Sequence, residues 1–394
     1  MEIINGKIDA SPEETGYDSS RLDVLNRHFE RLMEKEIIVG ATYAISHKGK
    51  IIANTSIGGR SKVSNEKMQT DTVFRIASIT KTFTAVSIMK LIEDGCFRLD
   101  TPVGEILPAF SKPPFDKITV WHLLTHTSGL YPDDGCFPDV APPSGWEFLA
   151  NVVEKWDGKT EIDWVQWAIM NGIKSPVGSE WMYSTNAFSI LGEVISKVSG
   201  VFAHDYIENN IMKPLGMTDT SFNISKNMAE RMYIRDENYK GWIDAIIKGE
   251  VSGSASDGSF WDRVPNTGGG IYSTTTDLLK FANMMLGNGR LNDVRILGRK
   301  SVEKMTTQQL KDIPDRCWGS PEKDRKHGIG FDMKEGPAFT YSKGTFMHEG
   351  AGGCSMDIDP KEQLAAVWFV PWNKTEWSAE ALFSVQNIIW SGIK

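Results

Sequence analysis

Apolar residues recur at three- and four-residue steps between positions 18 and 35, where Leu22, Leu25, Phe29 and Leu32 follow the cap candidates Asp18, Ser19 and Ser20. That spacing predicts an amphipathic helix. Apolar runs rich in β-branched and aromatic residues then fill GATYAISHKGKIIANTSIGG and break at His47-Lys48-Gly49, which predicts a hairpin with a short turn. In ITKTFTAVSIMKLIEDG the residues Ile79, Phe83, Val86, Ile88, Met89, Leu91 and Ile92 go most of the way round a helix that Gly95 ends. A helix apolar on nearly every side is a buried one. A further amphipathic helix carries Phe188, Ile190, Leu191, Val194, Ile195 and Val198 and stops at Gly200.

From about Asp100 to Pro265 aromatic residues crowd together, Pro and Gly punctuate often, and helical periodicity returns in short segments. Beyond them GIGFDM, TFMHEG, CSMDID and LAAVWFV read as short strands, and EWSAEALFSVQNIIWSGI closes the chain as a helix. This order predicts the α+β class, an antiparallel sheet flanked by the N- and C-terminal helices. Residues 1–102 and 265–394 are expected to form the sheet domain and residues 103–264 a large, mostly helical insertion domain. No repeat or low-complexity tract interrupts that division.

With 394 residues the chain is long enough for a large core. Its 43 Lys and Arg against 51 Asp and Glu leave a net charge of -8, which argues against nucleic acid or an anionic membrane as partner and leaves small molecules. Cys96, Cys136, Cys317 and Cys354 show no C-x-x-C spacing, so the expectation is reduced thiols, with neither a zinc site nor a secreted-type disulfide framework. The first 20 residues have no basic stretch followed by an apolar run, and no apolar run reaches the roughly 18 residues of a membrane span. A cytoplasmic location is expected.

Candidate chemistry starts at FRIASITKT, in which Ser78 stands three places before Lys81. The spacing alone is weak, because six S-x-x-K matches begin at Ser64, Ser78, Ser87, Ser301, Ser320 and Ser391. Position separates them. Ser78 falls at the start of the buried helix, where unpaired backbone N–H groups and the helix dipole favour developing negative charge. Lys81 lies one turn on, about 5–6 Å away between β-carbons, so its amine can reach the hydroxyl. Ser87 is inside the same helix, and the other four lie in charged, turn-like or terminal sequence. Two more segments add partners: Tyr183 just before the second amphipathic helix, and His348-Glu349-Gly350 at the end of a predicted strand whose glycines admit a ligand close to the backbone.

Ser78 to Lys81, Tyr183 to Thr185 and His348 to Gly350 resemble, in that order, the S-x-x-K, Y-x-N and K-T-G or H-x-G motifs of the serine β-lactamase and penicillin-binding-protein superfamily. The resemblance is nearest to the class C-like esterase and peptidase branch. ITVWHLLTHTSGL and NTGGGIYSTTTDLLKFANMML also resemble blocks of that family, so the similarity runs from about residue 20 to the C-terminus. One position departs: Thr185 stands where the motif has Asn, and Asn186 follows one place late.

The resemblance implies a serine hydrolase working through an acyl-enzyme on Ser78, with no metal or organic cofactor. Lys81 or Tyr183 serves as base, and the two form a coupled pair. The backbone N–H groups of Ser78 and Ala351 are the implied oxyanion donors, and His348, Gly350, Thr185 and Asn186 are candidate substrate contacts. His348 stands where lactamases usually carry lysine, and a histidine mostly neutral at pH 7 is no fixed anchor for a carboxylate. With Thr185, this tilts the expectation toward a carboxylesterase on small neutral esters. A D-amino-acid peptidase or amidase, a β-lactamase, an acyltransferase and a penicillin-binding sensor without turnover are the alternatives.

Other signals read as structural. His122 and His126 have helical spacing for zinc, but Leu123 takes the place of the needed glutamate. The glycine run GGGIYSTTTDLL precedes a Thr274-x-x-Asp277 cap pattern and reads as a turn near the site. Trp146, Trp156, Trp164, Trp167 and Trp181 are candidates for the wall of an acyl pocket. The absence of G-x-S-x-G counts against an α/β-hydrolase.

Overall fold

A short strand, β1 (Ile3–Asn5), and the hairpin β2 (Gly40–His47) and β3 (Lys50–Gly58) form half of a six-stranded sheet in a computed structural model. It describes residues 2–133, 136, 150–151, 153–157, 159, 163–253, 260–320, 323–371 and 379–394. Lys48 and Gly49, at φ +52° and +74°, make the hairpin turn, the doubly left-handed geometry that matches strand twist. Strands β4 (Phe346–Gly350), β5 (Cys354–Asp359) and β6 (Leu364–Phe369) form the other half. The order is β1-β3-β2-β6-β5-β4 with every pair antiparallel. The two ends of the chain thus share one sheet. GIGFDM does not join it as a strand: Asp332 makes only isolated bridges to His327 and Met347, and the backbone turns at Gly330, whose φ is +71°.

Six described helices have twelve or more residues: α1 (Ser20–Glu34), α2 (Thr80–Glu93), α3 (Thr185–Ser199), α4 (Glu237–Lys248), α5 (Thr275–Leu286) and α6 (Ala379–Trp390). Leu25, Phe29 and Leu32 of α1 join Leu382, Val385 and Ile389 of α6 over Tyr43, Ile45 and Trp368 on one sheet face. On the other face, Leu278, Ala282 and Met285 of α5 cluster with Ala44, Met356, Ala365 and Val367. Behind α5 lies α2, with the rings of Phe83 and Phe281 stacked 4.0 Å apart. Burying side chains of this size contributes about 1.5–3 kcal/mol each. Among the described residues, 103–264 supply helices, turns and isolated bridges and no strand of the sheet.

The reduced-thiol expectation is overturned for one pair. Cys136 and Cys317 form a disulfide with Cα atoms 4.4 Å apart, while Cys96 and Cys354 are free. Their 181-residue separation hides the pairing from any spacing rule. Disulfides persist in oxidising compartments, so this pair weighs against the cytoplasmic expectation. No described helix is long and apolar enough to cross a membrane.

Candidate active site

Helix α2 is buried from Thr80 through Met89 on every side. Its polar residues are therefore committed internally: Thr84 donates to the Thr267 carbonyl at 2.7 Å and Ser87 to the Phe83 carbonyl at 2.9 Å. A 3-10 turn, Ala77–Ile79, precedes the helix, with Ala77 at φ +45°. Ser78 sits in that turn, which the Ile79 N–H closes by donating to the Ile76 carbonyl at 3.2 Å. Lys81 is fully buried, and its Nζ lies 3.2 Å from Ser78 Oγ, 3.0 Å from Thr185 Oγ1 and 2.7 Å from the Gly268 carbonyl oxygen. Burial lowers the amine to about 8, against the pull of the Asp133 and Asp332 carboxylates.

Ser184 caps α3, its hydroxyl accepting from the Ala187 N–H, which fixes its neighbours. Tyr183, outside the helix, lays its ring 4.7 Å from Lys81 Nζ. Burial pushes its phenol well above 10 and Asp133 adds to this, while the hydrogen-bonded Ser78 hydroxyl opposes it. Thr185, the first helical residue, donates its N–H and its hydroxyl to the two Asp133 carboxylate oxygens, each at 2.6 Å. Asn186 is a correction to the candidate contacts. It is buried away from the site, donating through Nδ2 to the Ala168 carbonyl at 3.0 Å, because one helical step turns a side chain about 100°.

Strand β4 brings the third motif. A Cβ on Gly350 would lie 2.3 Å from the Ile76 carbonyl oxygen, so only glycine lets the strand end touch the turn that holds Ser78. Ala351 follows, exposed, at the lip of a hollow that Ser78 and Tyr183 also line. Buried His348 is lowered to about 4 by burial. Its Nδ1 lies 2.7 Å from the Glu349 carbonyl oxygen; a carbonyl only accepts, so Nδ1 carries the hydrogen and Nε2 is an acceptor.

Around these groups is a shell that motif reading missed. Arg325 pairs with Asp332 and with Asp315 and lies 4.1 Å from the Trp181 ring. Burial alone would raise Asp332, but Arg325 and then His327 more than offset it and hold the carboxyl well below the usual range. His126 Nδ1 accepts from the Ser184 N–H at 3.1 Å, and its ring lies 4.6 Å from that of Tyr183. Trp318, 60% exposed, brings its ring within 5.4 Å of Tyr183. The hollow of about 300 Å³ on this side is lined by Ser78, Tyr183, Trp181, Trp318, His348 and Ala351 among others. A second hollow of about 530 Å³ opens from Ser78 past Thr185 and Ala351 toward Tyr233, Tyr239 and Tyr272. Asp133 lines both.

The structure thus gathers Ser78, Lys81, Tyr183, Thr185, His348, Gly350 and Ala351 and turns Asn186 away. Of the tryptophans, Trp181 lines the site, Trp156, Trp164 and Trp167 pack on the main core, and Trp146 lies outside the described residues. His122 is spent on its helix cap with Thr119, and Thr274 caps α5. Nothing in the local sequence marks Asp133, which lies 52 positions before the residue it grips.

The sequence profile of the Beta-lactamase family matches residues 25–386. A protein of Mycobacterium tuberculosis is 27% identical over 380 residues, covering 89% of this chain and 90% of that one. Among solved structures, a penicillin-binding protein homolog from Caulobacter crescentus superposes with a TM-score of 0.72 at 18% identity over the whole of both chains. EstCE1, described as a hydrolase with promiscuous acyltransferase activity, gives 0.73 at 19% identity, covering 95% of this chain and 99% of that one. Because the profile match runs from α1 into the last helix, the protein belongs to the β-lactamase family of serine hydrolases.

Proposed function

We propose that the protein is a carboxylesterase that cleaves small neutral esters through an acyl-enzyme on Ser78. The observation that carries this reading is the fully buried Lys81 amine 3.2 Å from Ser78 Oγ. With Lys81 near 8, about a tenth of it is the free base at pH 7. Tyr183, driven further from ionisation, stays a phenol. Lys81 therefore takes the Ser78 proton as Oγ bonds to the ester carbonyl carbon, and the N–H groups of Ser78 and Ala351 hold the oxyanion. When the tetrahedral adduct collapses, the C–O bond breaks and the departing alkoxide regains that proton from the Lys81 ammonium through the Tyr183 hydroxyl. Water repeats the sequence on the acyl-serine and frees the acid.

The neutral-ester preference rests on charge. His348 is neutral and offers Nε2 as an acceptor, and Arg325, the cation lining the Tyr183 hollow, is held by Asp315 and Asp332. Among the described residues lining that hollow, a carboxylate-bearing lactam or peptide terminus finds no cation that is not already paired with carboxylates. Short p-nitrophenyl esters should give a pre-steady-state burst that Ser78→Ala abolishes. Equal turnover by wild type and Ser78→Ala would refute the nucleophile assignment. A lasting Ser78 adduct with penicillin and no ester turnover would point to a sensor instead, and a shift of product to new esters on adding an alcohol would point to acyl transfer of the kind described for EstCE1.

A further inference from the structure

Lys81 has three hydrogen-bond partners, and their chemistry decides where its lone pair points. As an ammonium it donates to Ser78 Oγ, Thr185 Oγ1 and the Gly268 carbonyl oxygen. As a free amine it keeps two hydrogens and one lone pair. The Gly268 carbonyl can only accept. Thr185 has a single hydroxyl hydrogen, and that hydrogen is committed to Asp133 Oδ2 at 2.6 Å. Toward Lys81 the threonine therefore only accepts. Ser78 Oγ–H is the one partner left that can donate, so the lone pair faces the proton it must remove.

We infer that Asp133 is a positioning residue: by holding the Thr185 hydroxyl as an obligate acceptor, it steers the free-base lone pair of Lys81 onto Ser78. The grip is double, since Asp133 Oδ1 also takes the Thr185 N–H at 2.6 Å and the Asp133 N–H donates to the Tyr183 carbonyl at 2.9 Å. Thr185 and Asp133 together thus give this chain a fixed acceptor at the position where the family motif carries asparagine. Without the carboxylate the threonine rotor is free to donate to the amine, which masks the base. The inference rests on the proposed role of Lys81.

The test is the pH profile of kcat/KM on a p-nitrophenyl ester for four variants beside wild type. Asp133→Asn is nearly isosteric, but its amide donates toward Thr185 Oγ1 and releases that hydrogen toward Lys81. The expected loss is about 10- to 100-fold, the scale of a misdirected reacting group. The charged and titratable groups facing Lys81 are Asp133, Asp332, Tyr183 and the neutral His126 and His348. Removing the Asp133 charge leaves Asp332 as the carboxylate favouring the ammonium, so the acid limb should move to lower pH. Thr185→Ser keeps the hydroxyl and should keep most of the activity. Thr185→Val should lose about as much as Asp133→Asn, and the double variant no more than Thr185→Val alone.

An unmoved acid limb in Asp133→Asn, or losses that multiply in the double variant, would overturn the inference. Ser78→Ala in the same assay separates the two failures. Activity surviving that change sinks the proposed reaction, whereas an inactive Ser78→Ala with independent Asp133 and Thr185 effects sinks only the positioning role.

Discussion

Lys81 and Tyr183 face one another with the amine 4.7 Å from the centre of the phenol ring. Burial penalises the charged form of both, lowering the amine to about 8 and raising the phenol. As pH rises the pair therefore loses its proton from the amine, at about 8, and keeps the phenol intact; it does not pass to an ammonium beside a tyrosinate. Because the proposed base acts only when unprotonated, kcat/KM for a neutral ester should rise with pH and level off above about 8. Stopped-flow acylation rates across pH 5–10 measure this, and a flat profile through pH 8 contradicts it.

Tyr183→Phe removes the hydroxyl that returns the proton to the leaving group. General acid–base groups contribute about 100- to 10,000-fold, and the loss should fall at the low end because Lys81 remains. The acid limb should persist in this variant. Its disappearance would transfer the titration to the phenol.

His348, at about 4, carries no charge above pH 5. Discrimination between a neutral ester and a matched ester with a carboxylate in its leaving group should therefore stay constant from pH 6 to 9. His348→Lys supplies an ammonium and should shift the kcat/KM ratio toward the anionic ester by about tenfold, on the scale of one charge-assisted hydrogen bond of about 1.5–3 kcal/mol. Paired kinetics on the two esters decide it.

Helix α2, the hairpin and the terminal helices were legible because each repeats a local period: Leu25, Phe29 and Leu32 announce a buried stripe, and Lys48-Gly49 a turn. Ser78, Lys81 and Tyr183 were legible because motif spacing coincides with a helix start. Asp133 was not, since its role depends on a partner brought close by folding, and neither was the cysteine pair, for the same reason. Thr185 against Asn186 was a question of helical phase. Only the cap at Ser184 fixes which of the two faces Lys81.

The Cys136–Cys317 bridge closes a span of 181 residues and ties Cys136, close in sequence to Asp133, to the segment carrying Trp318. Cys317 Sγ also lies 3.2 Å from the Tyr183 N–H. Cys136→Ser with Cys317→Ser should lower stability by about 2–5 kcal/mol and reduce ester turnover along with it. Denaturation with and without reductant measures the first, and reductant that changes neither property in the wild type would rule out the bond.

Asp357, enclosed in β5 with Ser355, Tyr341 and Gln386 donating to it, is pushed up to about 7 by burial. Its ordinary value is 3.8, so the folded state holds the proton more tightly than the unfolded one. Stability from this group is full below about pH 4, falls as pH rises to about 7, and is level beyond. The loss is on the order of a few kcal/mol. Melting temperatures of Asp357→Asn should lack that decline.

Between Gly350 and the Ile76 carbonyl there is no room for even a methyl group. Main chain rests on main chain there, so the nucleophile's turn and the edge strand translate as one rigid seam. Accommodation of bulky substrates then falls to rotamers of Trp318 and its aromatic neighbours. Thermal inactivation should coincide with calorimetric melting of the sheet rather than precede it.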